Sequence, residues 1–288
     1  MGMKVGIICD LDYTRHPCFK NYFYAIEYLY GSIKLVKSPD DLVGLDILFI
    51  GDDHYYFHKL VWLNHEFVKS CNDNEISVVV FTTEKILNSC FPWNMENYNR
   101  LQDIKKLHHY TIDVDDCEAF GTKLNRVLIS KHYRDKVWIS KVDDYKTDKI
   151  VFIGSTTCFS GSYDKRIETL GKIAEAIPME TIPSTIDSWT EYLQVIGKYR
   201  FVLSPLGNAN AFPMRFYETL LVGSIPVHQI KDNTLNYYDI EAQFDDCIYF
   251  KEPEELPDKI NGCTLLRSNR EFWMEDYLEK ILKEDGLL

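Results

Sequence analysis

Apolar positions along the 288 residues fall into two kinds of run. Short continuous stretches, such as Ile76-Ser-Val-Val-Val-Phe81 and Leu45-Asp-Ile-Leu-Phe-Ile50, have the length and β-branched content of strands buried on both faces. Longer stretches space their apolar residues at helical intervals. In the first half, strands are expected at 4–9, 33–36, 45–50, 76–81, 108–112 and 126–130, and helices at 20–30, 57–70, 95–106 and 115–124. The polar, charge-mixed stretch 131–148 reads as an interdomain linker. Beyond it the alternation restarts, with strands at 149–154, 179–182, 200–204, 225–228 and 247–250, and helices at 163–177, 188–198 and 212–222. A last amphipathic helix is expected over 269–284. Alternation of this kind predicts the α/β class, with parallel sheets carrying helices on both faces. The expected organisation is one open α/β domain over 1–140, a second over 149–268, and a terminal helix within 269–288.

Two such sheets matter for chemistry, because ligands of open α/β sheets bind beyond the carboxyl ends of the strands. The most informative stretch follows a strand of the second domain: Phe201-Val-Leu-Ser-Pro-Leu-Gly-Asn208, then Arg215-Phe-Tyr-Glu218, then Gly223-Ser-Ile-Pro-Val227. It reads as buried strand, glycine turn, helix and second buried strand behind a Gly-x-x-Pro corner. Arg215 and Glu218, three residues apart, share one helix face. A cation and a carboxylate beyond a glycine turn suit a ligand bearing phosphate and ribose. The alternative is an ordinary strand-helix-strand unit with one surface ion pair.

Ser204-Pro205-x-Gly207, Arg215-x-x-Glu218 and Gly223-x-x-Pro226-Val227 together resemble the donor-binding signature of exostosin-type glycosyltransferases. The resemblance covers about residues 149–232 and is faint elsewhere. It implies the GT-B architecture, two Rossmann-like domains facing a central cleft, and transfer with inversion from a nucleoside-diphosphate sugar to a glycan hydroxyl. It implies a UDP-sugar donor, with xylose the candidate sugar, Glu218 on the ribose and Arg215 near the diphosphate. Gly154-Ser155-Thr-Thr, followed by Arg166 early in the next helix, resembles a second family feature, and its amides suit phosphate. Arg166 is alternatively a solvated charge paired with Asp164 or Glu168. Ser204, Pro205, Gly207 and Asn208 complete the donor loop, where a glycine lets the ligand approach the backbone. Asn210 reads as a helix cap beside Pro213, while Tyr192 and Tyr199 read as core or as a stacking surface for the base. The nearest alternatives are a GDP-fucose-dependent fucosyltransferase and a non-catalytic binding protein of the same fold.

Inverting transfer needs a base for the acceptor hydroxyl, expected at a strand end of the first domain. Gly51-Asp-Asp-His-Tyr-Tyr56 is the richest candidate, with Asp52 or Asp53 as base and His54 and Tyr55 toward the acceptor. Two adjacent carboxylates raise one another's pKa, although one Asp could equally cap a helix. Asp12 is the second choice, with Arg15 and His16 beside it, and Glu84 the third. The Asp10-x-Asp12 pair is similar to the metal-binding motif of GT-A transferases, but it follows the first strand of the wrong domain for a donor metal. His108 and His109 point to opposite faces of a strand. Metal-independent transfer is expected, with no cofactor besides the nucleotide sugar.

Lys and Arg number 32 against 44 Asp and Glu, a net charge of −12, which removes any general attraction to nucleic acid or anionic lipid. A phosphate-bearing substrate must then be held by a local cluster of cations and amides. Eight cysteines lie scattered without a C-x-x-C pair, as in a reduced cytosolic protein. The chain enters strand-like sequence at Lys4, with no signal-peptide pattern and no apolar run long enough to span a bilayer. Exostosins are typically membrane-anchored, so the expectation is a minimal soluble, cytoplasmic form such as a microbe or large virus could encode.

Overall fold

The computed structural model describes residues 2–9, 18–51, 65–87, 93–137, 146–154, 164–183, 186, 188–207, 209–268 and 270–288. It divides into two compact units, Met1–Lys136 with Trp273–Leu288, and Val137–Phe272.

The first unit carries strands β1 (Val5–Ile8), β2 (Ile33–Leu35), β3 (Ile47–Ile50), β4 (Ser77–Thr82), β5 (Leu107–Thr111) and β6 (Lys123–Leu124). They form one parallel sheet in the order β2-β1-β3-β4-β5-β6. Helices α1 (Cys18–Tyr30), α2 (His65–Asp73), α3 (Trp93–Leu101), α4 (Val114–Phe120) and α5 (Lys131–Val137) alternate with these strands or follow them. Every residue of β1 and β3 is buried, as their continuous apolar runs require. Large rings fill one face: Tyr22 stacks on Phe81 at 4.7 Å between centroids, and Phe81 meets Tyr110 at 5.4 Å.

The second unit carries β7 (Thr147–Ile153), α6 (Asp164–Ala176), β8 (Met179–Ile182), α7 (Trp189–Ile196), β9 (Tyr199–Ser204), α8 (Met214–Leu221), β10 (Ile225–Gln229), α9 (Thr234–Tyr237), β11 (Ile248–Phe250) and α10 (Leu256–Asn261). Its sheet is also parallel, in the order β11-β10-β9-β7-β8. Counted by its own strands this is 2-1-3-4-5, and the first sheet repeats that order with one strand added. It is a doubly wound order whose switch point lies between strands one and three. Those strands are β1 and β3 in the first unit and β7 and β9 in the second. The second core is aliphatic and aromatic, built from Ile150, Phe152, Phe201, Leu203, Val227, Phe250 and their neighbours.

The last helix, α11 (Met274–Glu284), belongs to the first unit. Its Met274, Tyr277, Leu278, Ile281 and Leu282 recur at helical spacing and are buried. Two carboxylates near its ends pin it. Glu275 accepts from Ser130 Oγ at 2.6 Å and from the amides of Lys131 and His132, capping α5 from a distant part of the chain. Asp285 receives His108 Nδ1 at 2.9 Å, the Tyr110 hydroxyl and the Lys123 ammonium.

Several local expectations change. The stretch 131–137 is not linker but α5: its polar residues form a solvated face, and its one buried ring, Tyr133, stacks on Tyr24. The run 126–130 is not a full strand. The sheet ends at β6, and Val127, Leu128 and Ile129 are buried instead in an extended segment bridged to Trp273. Helix α11 starts at Met274 rather than 269, and α4 ends at Gly121, whose φ of +66° terminates it. His108 and His109 do face opposite sides of β5, one bonded to Asp285 and the other to Thr82 Oγ1 at 2.7 Å.

Candidate functional site

The carboxyl ends of β7 and β9 are brought side by side by their parallel pairing, Ile150 opposite Phe201 and Val151 opposite Val202. Gly154 follows the first strand, and Ser204, Pro205 and Gly207 finish the second. Two guanidinium groups lie on these glycines. A Cβ on Gly154 would sit 2.8 Å from Arg215 Nη2 and 2.9 Å from Phe152 Cζ, and one on Gly207 would collide with the Arg166 guanidinium. Neither glycine has a positive φ; each is needed for close approach instead. Arg166 Nε also donates to the Leu206 carbonyl at 3.4 Å, and the Arg215 guanidinium lies 5.0 Å from the Phe152 ring centre. Arg166 comes from the first turns of α6 and Arg215 from the first turn of α8, so the helices that follow the two strands each supply one cation.

Beneath the arginines lies a ring of polar groups. Glu218 is 6% exposed, and its Oε1 accepts the indole Nε1–H of Trp189 at 2.6 Å. The Tyr192 hydroxyl bonds both Glu218 and Arg215. Burial is the main influence on Glu218 and raises its pKa from 4.5 to about 7, against hydrogen bonds from Trp189 and Tyr192 and the charge of Arg215. The Ser204 carbonyl accepts from His228 Nδ1 at 2.8 Å, which places the proton on Nδ1 and leaves Nε2 an acceptor. Burial holds that imidazole neutral, its pKa lowered to about 4. Among the described residues at this site, Ser204 Oγ, Arg215 Nε and His228 Nε2 are buried without a hydrogen-bond partner. Such atoms mark a site whose polar capacity is unused.

The corner behind α8 is fixed as the Gly-x-x-Pro pattern implies. Gly223 has φ +67°, and a Cβ there would also press the Ser268 carbonyl at 3.3 Å. Pro226 sits where β10 has only β9 beside it, since β11 pairs from Val227 onward. At the opposite end of the sheet, Lys146 Nζ donates to Gly197 O at 2.6 Å, Val222 O at 2.9 Å and Ser224 Oγ at 3.2 Å. One ammonium thus ties the carboxyl ends of α7 and α8, the helices that carry Trp189, Tyr192, Arg215 and Glu218.

The structure therefore brings Gly154, Arg166, Ser204, Pro205, Gly207, Arg215 and Glu218 to the carboxyl end of one sheet. Three readings change. Asn210 does not cap α8: Pro213 occupies that N-cap, and Asn210 donates to Asn233 and accepts from Thr234 at the start of α9. Tyr199 is the first residue of β9, at the far end, and its hydroxyl goes to Glu180. Glu218 is not an open carboxylate; one oxygen is already taken by Trp189, a residue no sequence argument singled out. Its sole signal was the Trp189-x-x-Tyr192 spacing on an amphipathic helix, which any core position would show. Ser155 and Asn208 lie outside the described residues, as do Asp12, Arg15, His16, Asp52, Asp53, His54 and Tyr55. Their segments begin after Cys9 and Gly51, directly beyond β1 and β3, the strands flanking the first sheet's switch point. Glu84 follows β4, outside that switch point.

No family model matches the chain, and no curated protein matches it. Among solved structures it is similar to an alpha1,3-fucosyltransferase at 11% identity and TM-score 0.50, over 99% of this chain and 90% of that one. It is also similar to an alpha-glucosyltransferase in complex with UDP and a 13-mer DNA containing a central A:G mismatch, at 13% identity and TM-score 0.52, over 90% and 89% of the two chains. The alpha-glucosyltransferase in complex with UDP-glucose and DNA containing an abasic site gives 12% identity and TM-score 0.53, over 100% and 94%. At such identities the likeness establishes the fold: α/β, of the GT-B class, with two Rossmann-like units. No described helix is long and apolar enough to cross a membrane.

Proposed function

We propose that the protein is an inverting, exostosin-type glycosyltransferase that moves a sugar from a UDP-sugar, with xylose the candidate, to a hydroxyl of a glycan acceptor. The observation that carries this reading is the seating of Arg166 and Arg215 on Gly154 and Gly207, at the ends of the two strands flanking the second sheet's switch point. Two guanidinium forks with no intervening side chains match a diphosphate in charge and geometry. They also neutralise the leaving nucleoside diphosphate, so transfer here is metal-independent. Glu218 receives the ribose, and Ser155, Ser204, Pro205 and Asn208 complete the donor loop.

In this mechanism Asp52 or Asp53, with Asp12 the second choice, takes the proton of the acceptor hydroxyl. The oxygen attacks the anomeric carbon from the face opposite the leaving group, and the bond to the diphosphate breaks with inversion. His54, Tyr55, Arg15 and His16 contact the acceptor. The DNA seen with the alpha-glucosyltransferase is that protein's partner; at a net charge of −12 this chain suits an uncharged glycan better. A GDP-linked donor is the second reading, favoured by the likeness to the alpha1,3-fucosyltransferase.

Thermal melting with UDP, GDP and their sugars tests the donor, because only a ligand of the folded state raises Tm. A rise with UDP supports the first reading, a rise with GDP alone the second, and no rise with either sinks both. Slow donor hydrolysis without acceptor separates an enzyme from a binding protein. Asp52→Asn with Asp53→Asn should abolish turnover and leave UDP binding intact; full activity would remove these residues from the role of base.

A further inference from the structure

We propose that Trp189 is a positioning residue of the nucleotide site, holding Oε1 of Glu218 through its indole N–H so that Oε2 is the oxygen presented to the ribose. The inference rests on the donor reading above and deepens it. Trp189 opens α7 and is buried; Tyr192, one turn on, lies on the same face and bonds the same carboxylate. An indole N–H can only donate, so it orients a carboxylate and never competes with it as an acceptor. With one oxygen held at 2.6 Å, the Glu218 side chain loses the freedom that would otherwise be given up on binding. Among the described residues, the titratable and charged groups bearing on Glu218 are Tyr192 from α7 and Arg215 from its own helix.

Two consequences separate positioning from packing. First, the Trp189 hydrogen bond favours the ionised carboxylate, so its removal raises the pH at which Glu218 ionises. Secondly, with Oε1 held by the indole, the ribose hydroxyls are left to the two lone pairs of Oε2.

The test is UDP (or GDP, whichever shifts wild-type melting) titrated calorimetrically into wild type, Trp189→Phe and Glu218→Gln between pH 6 and 9. Phe keeps the ring in the core and deletes only the donor. Wild-type affinity should fall below about pH 7, where Glu218 protonates. Trp189→Phe should weaken binding about tenfold at pH 7 and move the midpoint upward, the loss expected for one hydrogen bond to a charged group. The 2′-deoxy and 3′-deoxy nucleotides should each bind more weakly than the parent.

Unchanged affinity and midpoint in Trp189→Phe, alongside a weakened Glu218→Gln, would overturn this inference and leave the donor site standing. An undiminished Glu218→Gln would instead remove Glu218 from the donor site. Should Trp189→Phe not fold, the indole N–H resonance of Trp189 in the wild-type protein provides the same test. It should titrate with Glu218 and move on adding nucleotide, and a resonance indifferent to both refutes the proposal.

Discussion

Replacing Glu218 by Gln keeps the shape of the side chain and an acceptor oxygen for Trp189, but removes a buried negative charge. Burial, the largest influence, lifts the folded carboxyl from 4.5 to about 7. The folded protein therefore holds this proton more tightly than the unfolded chain does. Stability from this group is fully present below about pH 4.5 and is lost as pH rises through about 7, staying low above it. At 1.36 kcal/mol per pKa unit the loss is about 3 kcal/mol. Glu218→Gln has no such slope. The two proteins should be nearly equal near pH 4.5, and the variant more stable by about 3 kcal/mol at pH 8. Urea denaturation followed by tryptophan fluorescence at pH 5, 6, 7 and 8 measures this, with the two units fitted as separate transitions. A stability difference that does not change with pH, or a variant less stable at pH 8, would refute the reasoning. The same substitution should weaken nucleotide binding, so that stability and binding move in opposite directions, as expected where a site retains a buried charge for function.

Gly207→Ala should weaken UDP binding about tenfold with little change in Tm, because the new methyl displaces the Arg166 guanidinium while the glycine itself is exposed; isothermal titration and melting together check both halves. Lys146→Met should cost about 2–4 kcal/mol in urea denaturation, since two helix carboxyl ends and Ser224 lose one charged donor, and it should loosen nucleotide binding through α7 and α8.

The local elements of the candidate site were legible in the sequence because its parts are consecutive. A β-branched run, a glycine turn, an i,i+3 charge pair and a Gly-x-x-Pro corner are all local features, each with a local physical cause. Strand existence was legible for the same reason: β1 and β3 are buried along their whole length, β4 over 78–82 and β9 over 201–204, and each carries a continuous apolar run there. The edge elements were not. The run 126–130 has strand composition but no partner strand among the described residues, and Ile129 is bridged to Trp273, just before α11. The stretch 131–137 looks like linker because only Tyr133 turns inward, and its cap, Glu275, is more than 130 residues away in sequence.

Pattern alone settled that this chain alternates strand and helix twice over, and that a cation and a carboxylate follow a glycine turn late in it. Periodicity and turn chemistry operate over a few residues, so a sequence carries them openly. Strand order, which pairs β7 with β9 and makes their carboxyl ends a switch point, came from folding. So did the burial of Glu218, its capture by Trp189 twenty-nine residues earlier, and the lysine joining two helix ends. Those features depend on which elements pack together. That choice is made by the summed burial of whole faces, and no single stretch of sequence records it.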